Sequence, residues 1–382
     1  MFTEKRYKNG SRSPRLDVDW VLFFAVILIV FAGFSTMASF VGENYFFSRQ
    51  ALWVVVGVTF FFVFSTIDWR FLKRTEILIS LFVFFVLALV FLLLGGSVVR
   101  GSERWVEIGG FTFQPSDPVK LVVILILAKY FSRRHIEIAR IRHIIVPGFY
   151  ALVPFVLVFL QPDLGTAVII FLIWLGMIIV AGVSKKHLLA IFLAALVSFV
   201  FLWSFVFEDY QKQRITTFLH PLADIQGSGY NAYQSTIAVG SGELWGRGIG
   251  YGTQSRLQFL PEYETDFIFA AFAEEWGFFG VLLLLLLFGV VLWRVLVNAF
   301  YGATNFEALF GVGVAILLMS HLSVHVGMNI GLLPVTGITL PFMSYGGSHL
   351  LTEFMGLGIL MGMRRYRRSV HREDAEKEFV GI

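Results

Sequence analysis

The chain has 382 residues, of which 57% are hydrophobic and 15% charged, and it carries 43 phenylalanines and no cysteine. This composition excludes an ordinary soluble domain, and the lack of cysteine excludes disulfides, thiolate metal sites and cysteine nucleophiles. The formal net charge is +4, and no basic stripe with interleaved aromatic residues indicates a nucleic-acid partner. The positive residues instead indicate membrane orientation and contact with anionic lipids.

Ten apolar stretches, each about twenty residues long, predict membrane-spanning helices. They lie near residues 19–40, 48–66, 75–95, 117–132, 144–160, 164–182, 187–207, 266–293, 306–328 and 345–363. If the N-terminus is cytoplasmic, most Lys and Arg residues fall on the inner side. The positive-inside rule therefore favours an all-α polytopic membrane protein with ten transmembrane helices and both termini cytoplasmic.

The predicted organisation is a cytoplasmic N-terminal tail (1–18), a ten-helix membrane domain (19–363) and a cytoplasmic C-terminal tail (364–382). The first apolar stretch is longer than a signal-peptide core and lacks a small-residue cleavage pattern, so we expect it to be retained. Residues 208–265, between the seventh and eighth helices, are too long for a simple connector and too rich in aromatic and aliphatic residues for disorder. We predict a large, folded extracytoplasmic loop there.

Two motifs stand out within this loop. The stretch YNAYQSTIAVGSG predicts a short amphipathic helix, and GRGIGYGTQ predicts a tight, glycine-dependent turn. Because GRGIGYGTQ follows no predicted strand, a dinucleotide-binding site is disfavoured. The loop also lacks an H-x-x-x-H pair, a phosphate-binding P-loop and a G-x-S-x-G motif, so nothing in it indicates hydrolase or nucleotide chemistry.

The start of the fourth span carries an acid and a base one helical turn apart. Asp117 followed by Pro118 is typical of a helix N-cap, which is one interpretation of the aspartate. Lys120 lies on the same helix face, at the predicted outer edge of the membrane. It either extends its amine towards water or works together with Asp117.

Acidic residues also occur in or beside later spans. Asp266 begins the eighth span, where it is either another N-cap or a functional carboxylate. Glu274 lies about 12 Å further along an ideal helix and about 80° around it, so it could line the same cavity as Asp266, whereas Glu275 points away. Both glutamates could equally be structural, as a buried ion pair or a protonated acid. Glu353, inside the tenth span, is left without an assigned role.

Four motifs together resemble the SEDS family of bacterial cell-wall polymerases, and the RodA branch more than the FtsW branch. They are QPSDPVKL (114–121), QPDLGTA (161–167), the run from GYNAYQSTIAVGSG to EEWGFFG (229–280) and GLLPVTGITLPFMSYGGS (331–348). The resemblance implies a peptidoglycan glycosyltransferase of the bacterial cytoplasmic membrane, which polymerises lipid II into β-1,4 glycan strands during elongation. It also implies that Asp266 is the essential carboxylate, and that Arg104, Trp105, Asp117 and Lys120 belong to the substrate-binding site.

On this hypothesis Asp266 is the base that deprotonates the acceptor hydroxyl, and the anomeric carbon inverts without a covalent intermediate. Lys120, Arg104 and Arg214 are the candidates for neutralising the pyrophosphate leaving group. A divalent cation, Mg or Mn, could bind at Asp266 with Glu262.

The resemblance is incomplete at three positions. Family members usually carry glutamate where Asp117 stands, asparagine is common at His325, and serine is common at His349. The shorter acid, at a helix that starts with proline, leaves open whether Asp117 contacts substrate or only caps the helix. The two histidines leave open whether the neighbourhood of the last outer loop also differs from the family.

The implied partners are lipid II, as donor and acceptor, a class B penicillin-binding protein and other membrane proteins of the elongation complex. Two other functions remain open. One is a lipid II flippase, which the buried acids would suit, and the other is a non-catalytic scaffold of the wall-synthesis complex.

Overall fold

The structure, a computed structural model, describes residues 18–38, 45–95, 97–99, 102–108, 111–132, 142–220, 229–257 and 259–380. These residues are mostly helical. The helices are α1 (Trp20–Ala38), α2 (Tyr45–Thr66), α3 (Thr75–Gly95), α4 (Ser116–Ser132), α5 (Arg142–Leu160), α6 (Leu164–Val180), α7 (Lys185–Phe205), α8 (Asp209–Leu219), α9 (Tyr230–Ser241), α10 (Thr253–Arg256), α11 (Ile268–Phe300), α12 (Asn305–Asn329) and α13 (Gly347–Val380). A 3-10 helix, Trp69–Lys73, precedes α3.

Each predicted span coincides with one helix. Seven of the described helices are long and apolar enough to cross a membrane, namely α1, α2, α3, α5, α7, α11 and α12. Helix α6 is also apolar but has only 17 residues. The multi-span helical architecture is therefore confirmed, whereas the count of ten crossings and their orientation remain predictions.

Helix α4 lies at the centre of the bundle. It packs against α12, α3, α5, α6 and α13, and it buries nearly all of its side chains. Because neighbouring helices shield it from lipid, α4 can carry charged residues that a lipid-facing helix could not. Helix α7 is the opposite case, since none of its residues is fully buried and most of its apolar side chains are exposed, with Leu188 and Ile191 packing partly against the core.

The segment between α3 and α4 contains strands that we did not predict. Strands β1 (Ser97–Val99), β2 (Ser102–Ile108) and β3 (Phe111–Phe113) form an antiparallel sheet in the order β1-β2-β3. Val106 pairs with Phe113, and Ile108 pairs with Phe111. Strands β1 and β3 have only three residues each, and the seven residues of β2, SERWVEI, do not alternate strictly between polar and apolar, which explains why the sequence did not reveal them.

Helix α11 is broken near its start, which corrects the prediction of one continuous span. Its 33 residues would extend about 50 Å, more than the membrane core of about 30 Å requires. At Gly277 the backbone takes φ 65°, a left-handed conformation that glycine adopts without strain. Residues 278–300 are sufficient by themselves to span the core.

The long loop between α7 and α11 is built into this break. Its residues 243–248 run beside it and take over the hydrogen bonds that the helix loses. The bonds are Arg247 N to Glu274 O, Gly248 N to Glu275 O, Phe278 N to Glu243 O and Phe279 N to Leu244 O, at 2.9–3.2 Å. Gly246, Gly248 and Gly250 all have positive φ, as the predicted tight turn requires. The predicted loop helix is also confirmed, as α9.

Candidate active site

Asp266 lies at the junction between the long loop and α11. The helix begins two residues later, and its N-cap residue is Phe267, which makes no side-chain cap. The N-cap interpretation of Asp266 is therefore wrong. The aspartate is partly exposed, and its Oδ2 faces Gly337, where an added Cβ atom would lie 3.4 Å away.

The backbone around Asp266 is held from two sides. The amides of Thr265, Asp266 and Phe267 all donate to the carbonyl of Glu262. Asn329 Nδ2 donates to the carbonyl of Asp266 at 3.0 Å, while Asn329 Oδ1 accepts from the amide of Ala270 at 3.2 Å. Asn329 is fully buried, so its amide must be paired inside the protein. Sequence reasoning missed this residue, although a polar side chain at the end of an apolar helix was an available signal.

The segment between α12 and α13, residues 330–346, packs against the LPEYETDF motif. Ser344 Oγ donates to the carbonyl of Thr265 at 2.7 Å, and the amide of Tyr345 donates to the carbonyl of Glu264 at 2.8 Å. The motif's two glutamates differ, because Glu262 is exposed and Glu264 is buried. Asp266 is thus fixed by two segments that are remote in sequence.

A second cluster lies at the start of α4. Lys120 Nζ donates to Asp117 Oδ1 at 2.8 Å, and Ser348 Oγ donates to Asp117 Oδ2 at 2.6 Å. The predicted pairing of Asp117 and Lys120 is confirmed. Only 1% of Lys120 is exposed, so the alternative in which its amine reaches water is wrong. Asp117 lies inside α4, which begins at Ser116, and its carboxylate binds side chains instead of capping the helix.

Three further residues extend this buried network. His321 Nε2 lies 3.3 Å from Lys120 Nζ. On the other side of Asp117, His349 Nδ1 lies 3.6 Å from Asp117 Oδ1, and its Nε2 lies 2.9 Å from Glu353 Oε1. Glu353, which had no predicted role, is therefore part of an ionic network centred on Asp117.

Residues 337–339 lie between Asp266 and this network. Gly337 borders Asp266, whereas the carbonyl of Thr339 lies 3.3 Å from His321 Nδ1 and that of Ile338 lies 2.6 Å from His325 Nδ1. This three-residue segment thus lies beside both the partly exposed aspartate and the buried histidines. This proximity was not apparent from the sequence, because Asp266 lies more than fifty positions before both the histidines and residues 337–339.

Glu274 anchors the outer loop, and the expectation that it lines a cavity with Asp266 is wrong. Its carboxylate is fully buried and accepts hydrogen bonds from Ser241 Oγ, Thr253 Oγ1, Gln254 N, Ser255 N and Ser255 Oγ, at 2.9–3.5 Å. The alternative prediction, a structural role for Glu274, is confirmed, but its partners are hydroxyl and amide groups and not the cation of an ion pair. Glu275 Oε1 likewise accepts from the amide of Gly250 at 2.9 Å.

The other predicted substrate-binding residues lie on β2, between α3 and α4, and on α8, between α7 and α11. Trp105 is half-buried in β2, and Arg104 precedes it in the same strand, but the Arg104 side chain lies outside what the structure describes. Arg214 is exposed on α8, with its guanidinium 5.9 Å from the centre of the Tyr210 ring. The described contacts thus group Asp117 with Lys120 and leave Arg214 apart from them.

The described residues do not fit a dedicated metal site. Among them, no three His, Asp or Glu side chains are grouped so that they could hold an ion. Near Asp266, the carboxylate of Glu262 accepts a hydrogen bond from the Thr265 hydroxyl at 3.1 Å. We therefore derive no catalytic step through a metal, and the divalent cation remains a sequence-based prediction.

Together these features define a polytopic membrane protein with a partly exposed aspartate beside a buried ionic network. The cell cycle protein family FtsW/RodA/SpoVE matches residues 15–369, and the chain belongs to this family. The resemblance seen in the four motifs is thereby confirmed.

Relatives and solved structures agree with this assignment. The chain is 37% identical to stage V sporulation protein E of Bacillus subtilis, over 94% of this chain and 99% of the relative. It is 38% identical to peptidoglycan glycosyltransferase MrdB of Escherichia coli, over 72% and 75% of the two chains.

Among solved structures, a chain from a peptidoglycan synthase complex that coordinates polymerization and crosslinking matches with a TM-score of 0.78 and 31% identity. That match covers 91% of this chain and 98% of the other. The rod shape determining protein RodA of Thermus thermophilus matches with a TM-score of 0.69 and 29% identity, covering 91% and 97%.

Proposed function

We propose that this protein is a peptidoglycan glycosyltransferase that polymerises lipid II into β-1,4 glycan strands at the outer face of the bacterial cytoplasmic membrane. The observation that carries the proposal is the position of Asp266. Asp266 is not the N-cap of α11, is partly exposed and lies where the folded long loop meets this helix. A carboxylate in that place can reach both a sugar in water and a pyrophosphate attached to a lipid.

The proposed reaction is a direct displacement. The acceptor hydroxyl gives its proton to a carboxylate oxygen of Asp266 as its oxygen attacks the donor's anomeric carbon. The bond between that carbon and the pyrophosphate oxygen breaks, and undecaprenyl pyrophosphate leaves with the electron pair. One displacement inverts the anomeric carbon, which suits an α-linked donor and a β-linked product.

Cations on the outer segments would stabilise the charge that develops on the leaving group. Arg214 is exposed, and Arg104 and Trp105 lie in the outer strand β2. Lys120 is buried against Asp117, so direct contact with pyrophosphate would require this pair to open. Lys120→Ala should lower turnover or lipid II affinity, and an effect on thermal stability alone would remove Lys120 from substrate binding.

The decisive experiment is Asp266→Asn, assayed for glycan polymer from lipid II in detergent with the cognate penicillin-binding protein present. Loss of a general base should lower the rate by at least about 100-fold while the variant remains folded. Asp209→Asn is the matched control, because Asp209 is an exposed carboxylate on α8 of the same loop. Polymer at the wild-type rate from Asp266→Asn would remove the aspartate from the mechanism.

A partner that crosslinks the strands is part of the proposal. The related chain in a synthase complex supports it, as does family membership. Co-purification of the chain with a class B penicillin-binding protein from the same bacterium tests this partner, and failure to co-purify would count against it.

An elongation role is also part of the proposal, supported by the RodA-like loop motifs and the similarity to RodA structures. Depletion of the protein from its bacterium should produce round cells. Filamentous cells would indicate a division role, and a defect confined to sporulation would indicate a function like that of the Bacillus relative.

The flippase hypothesis has lost its main support. It depended on buried acids being available for transport, but Glu274 is committed to the outer loop and Glu353 to His349. Translocation of lipid II in vesicles by Asp266→Asn, in the absence of polymerisation, would restore that hypothesis.

A further inference from the structure

Helix α13 places a histidine between two buried carboxylates. His349 Nε2 lies 2.9 Å from Glu353 Oε1, one helical turn further on, and Nδ1 lies 3.6 Å from Asp117 Oδ1 on α4. At least nine-tenths of each of the three side chains is buried. A buried charge without a counter-charge is costly, so the charges in this cluster must nearly balance.

The ion-pair distances assign the charges. Both ring nitrogens of His349 lie within 4 Å of a carboxylate oxygen, and Lys120 alone would leave one of the two buried carboxylates without a counter-charge. His349 is therefore an imidazolium. His321 differs, because its Nε2 faces the amine of Lys120, which only donates. Two anions, Asp117 and Glu353, are therefore balanced by two cations, Lys120 and His349, while His321 is neutral.

Glu353 connects this cluster to the segment beside Asp266. Its Oε2 accepts a hydrogen bond from the amide of Phe342 at 2.9 Å. Phe342 has φ 60°, a left-handed conformation that is strained for a residue with a side chain and needs support from its surroundings. Phe342 belongs to residues 330–346, the same segment that presents Gly337 to Asp266.

We propose that His349 is a positioning residue for glycosyl transfer: its charge holds Asp117 and Glu353, and through them Lys120 and the segment that borders Asp266. The proposal rests on the proposed function of the chain. It assigns to His349 no contact with substrate. Its role depends on Glu353, because the histidine supplies the charge that makes a buried glutamate tolerable there.

This dependence gives a test by paired substitution. His349→Gln leaves three charges, two of them negative, so the cluster should rearrange and turnover of lipid II should fall at least about tenfold, since small displacements of catalytic groups are costly. The Michaelis constant should change much less, because His349 does not touch substrate. Adding Glu353→Gln restores the charge balance with Asp117 and Lys120, and should return turnover to within about threefold of wild type.

The thermal unfolding midpoint provides a second readout that does not depend on activity. His349→Gln should lower the midpoint, and His349→Gln with Glu353→Gln should recover it. His143→Gln is the matched control, because His143 is a buried histidine whose Nδ1 pairs with the Tyr130 hydroxyl at 2.9 Å. The change in unfolding midpoint caused by His143→Gln should simply add to the change caused by Glu353→Gln.

Three results would overturn the proposal: unchanged turnover in His349→Gln, a loss that Glu353→Gln does not relieve, or a change in the Michaelis constant alone. The first would show that the charge is dispensable, the second that His349 acts only by packing, and the third that it binds substrate. If the wild-type protein with its partner makes no polymer, the proposed function fails. The unfolding midpoints then still decide whether His349 and Glu353 are coupled.

Discussion

The carboxylate of Glu274 should hold the outer loop against α11, and Glu274→Ala tests this directly. Its two oxygens accept from different backbone amides, Oε1 from Gln254 at 2.9 Å and Oε2 from Ser255 at 3.3 Å. A buried amide that loses its acceptor costs about 1–3 kcal/mol, so two amides should destabilise the closed loop by about 2–6 kcal/mol. The hydroxyls of Thr253 and Ser255 can rotate to other acceptors and are not counted.

Hydrogen exchange followed by mass spectrometry measures this change locally. Because every 1.4 kcal/mol is tenfold, protection of the amides in residues 251–257 should fall by at least about 20-fold. Glu274→Gln should also weaken the loop, since either orientation of the carboxamide turns its NH₂ group towards one of the two amides.

The control is Asp209→Asn, which removes an exposed carboxylate from α8 and should leave protection of residues 251–257 unchanged. Wild-type protection in Glu274→Ala would refute the reasoning and show that the loop is held by its backbone contacts with residues 274–279 alone. A loss of protection throughout the protein would show that Glu274 stabilises the whole fold instead of the loop.

Two further predictions each compare the same substitution at two matched positions. Gly337→Ala and Gly182→Ala both place a side chain at positive φ and should cost similar stability, about 1–2 kcal/mol in thermal or denaturant unfolding. Only Gly337→Ala should also lower polymer formation, by about tenfold or more, because Gly337 borders Asp266 while the space around Gly182 is open. Equal polymer formation by the two variants would contradict the placement of Asp266 beside Gly337. Asp19→Asn turns an amide towards Arg294 and Asn298 at a buried site and should lower stability by about 1–3 kcal/mol, whereas Asp68→Asn disrupts an exposed pair with Arg70 and should cost less than about 1 kcal/mol. Equal losses in the unfolding midpoint would show that burial does not set the strength of these two pairs.

The sequence predicted the helices well because membrane spans are governed by composition over about twenty residues, which is a local property. The loop helix α9 and the glycine turn at residues 246–250 were also predictable, since each depends on a local motif. The Asp117–Lys120 pair followed from their spacing of three residues along one helix.

The break in α11 was not predictable from its own residues. AEEWGFFG reads as apolar helix with two glutamates, and an isolated glycine rarely breaks such a helix. The chain turns at Gly277 because residues 243–248 supply replacement hydrogen bonds, and those residues lie about thirty positions away. For the same reason the prediction that Glu274 lines a cavity with Asp266 was wrong. The five hydrogen bonds that its carboxylate accepts all come from residues 241–255.

By itself, the sequence determined that the chain is a polytopic membrane protein, and its motifs identified the family and made Asp266 the candidate catalytic residue. Only the tertiary structure decided that Asp266 is not the N-cap of α11, that Asn329 holds its backbone, and that His349 and Glu353 join the Asp117–Lys120 pair. The physical reason is the low-dielectric interior of the bundle. Each buried charge and each free backbone amide there must be paired, and the partner is supplied by whichever segment the fold brings near, at any distance along the chain.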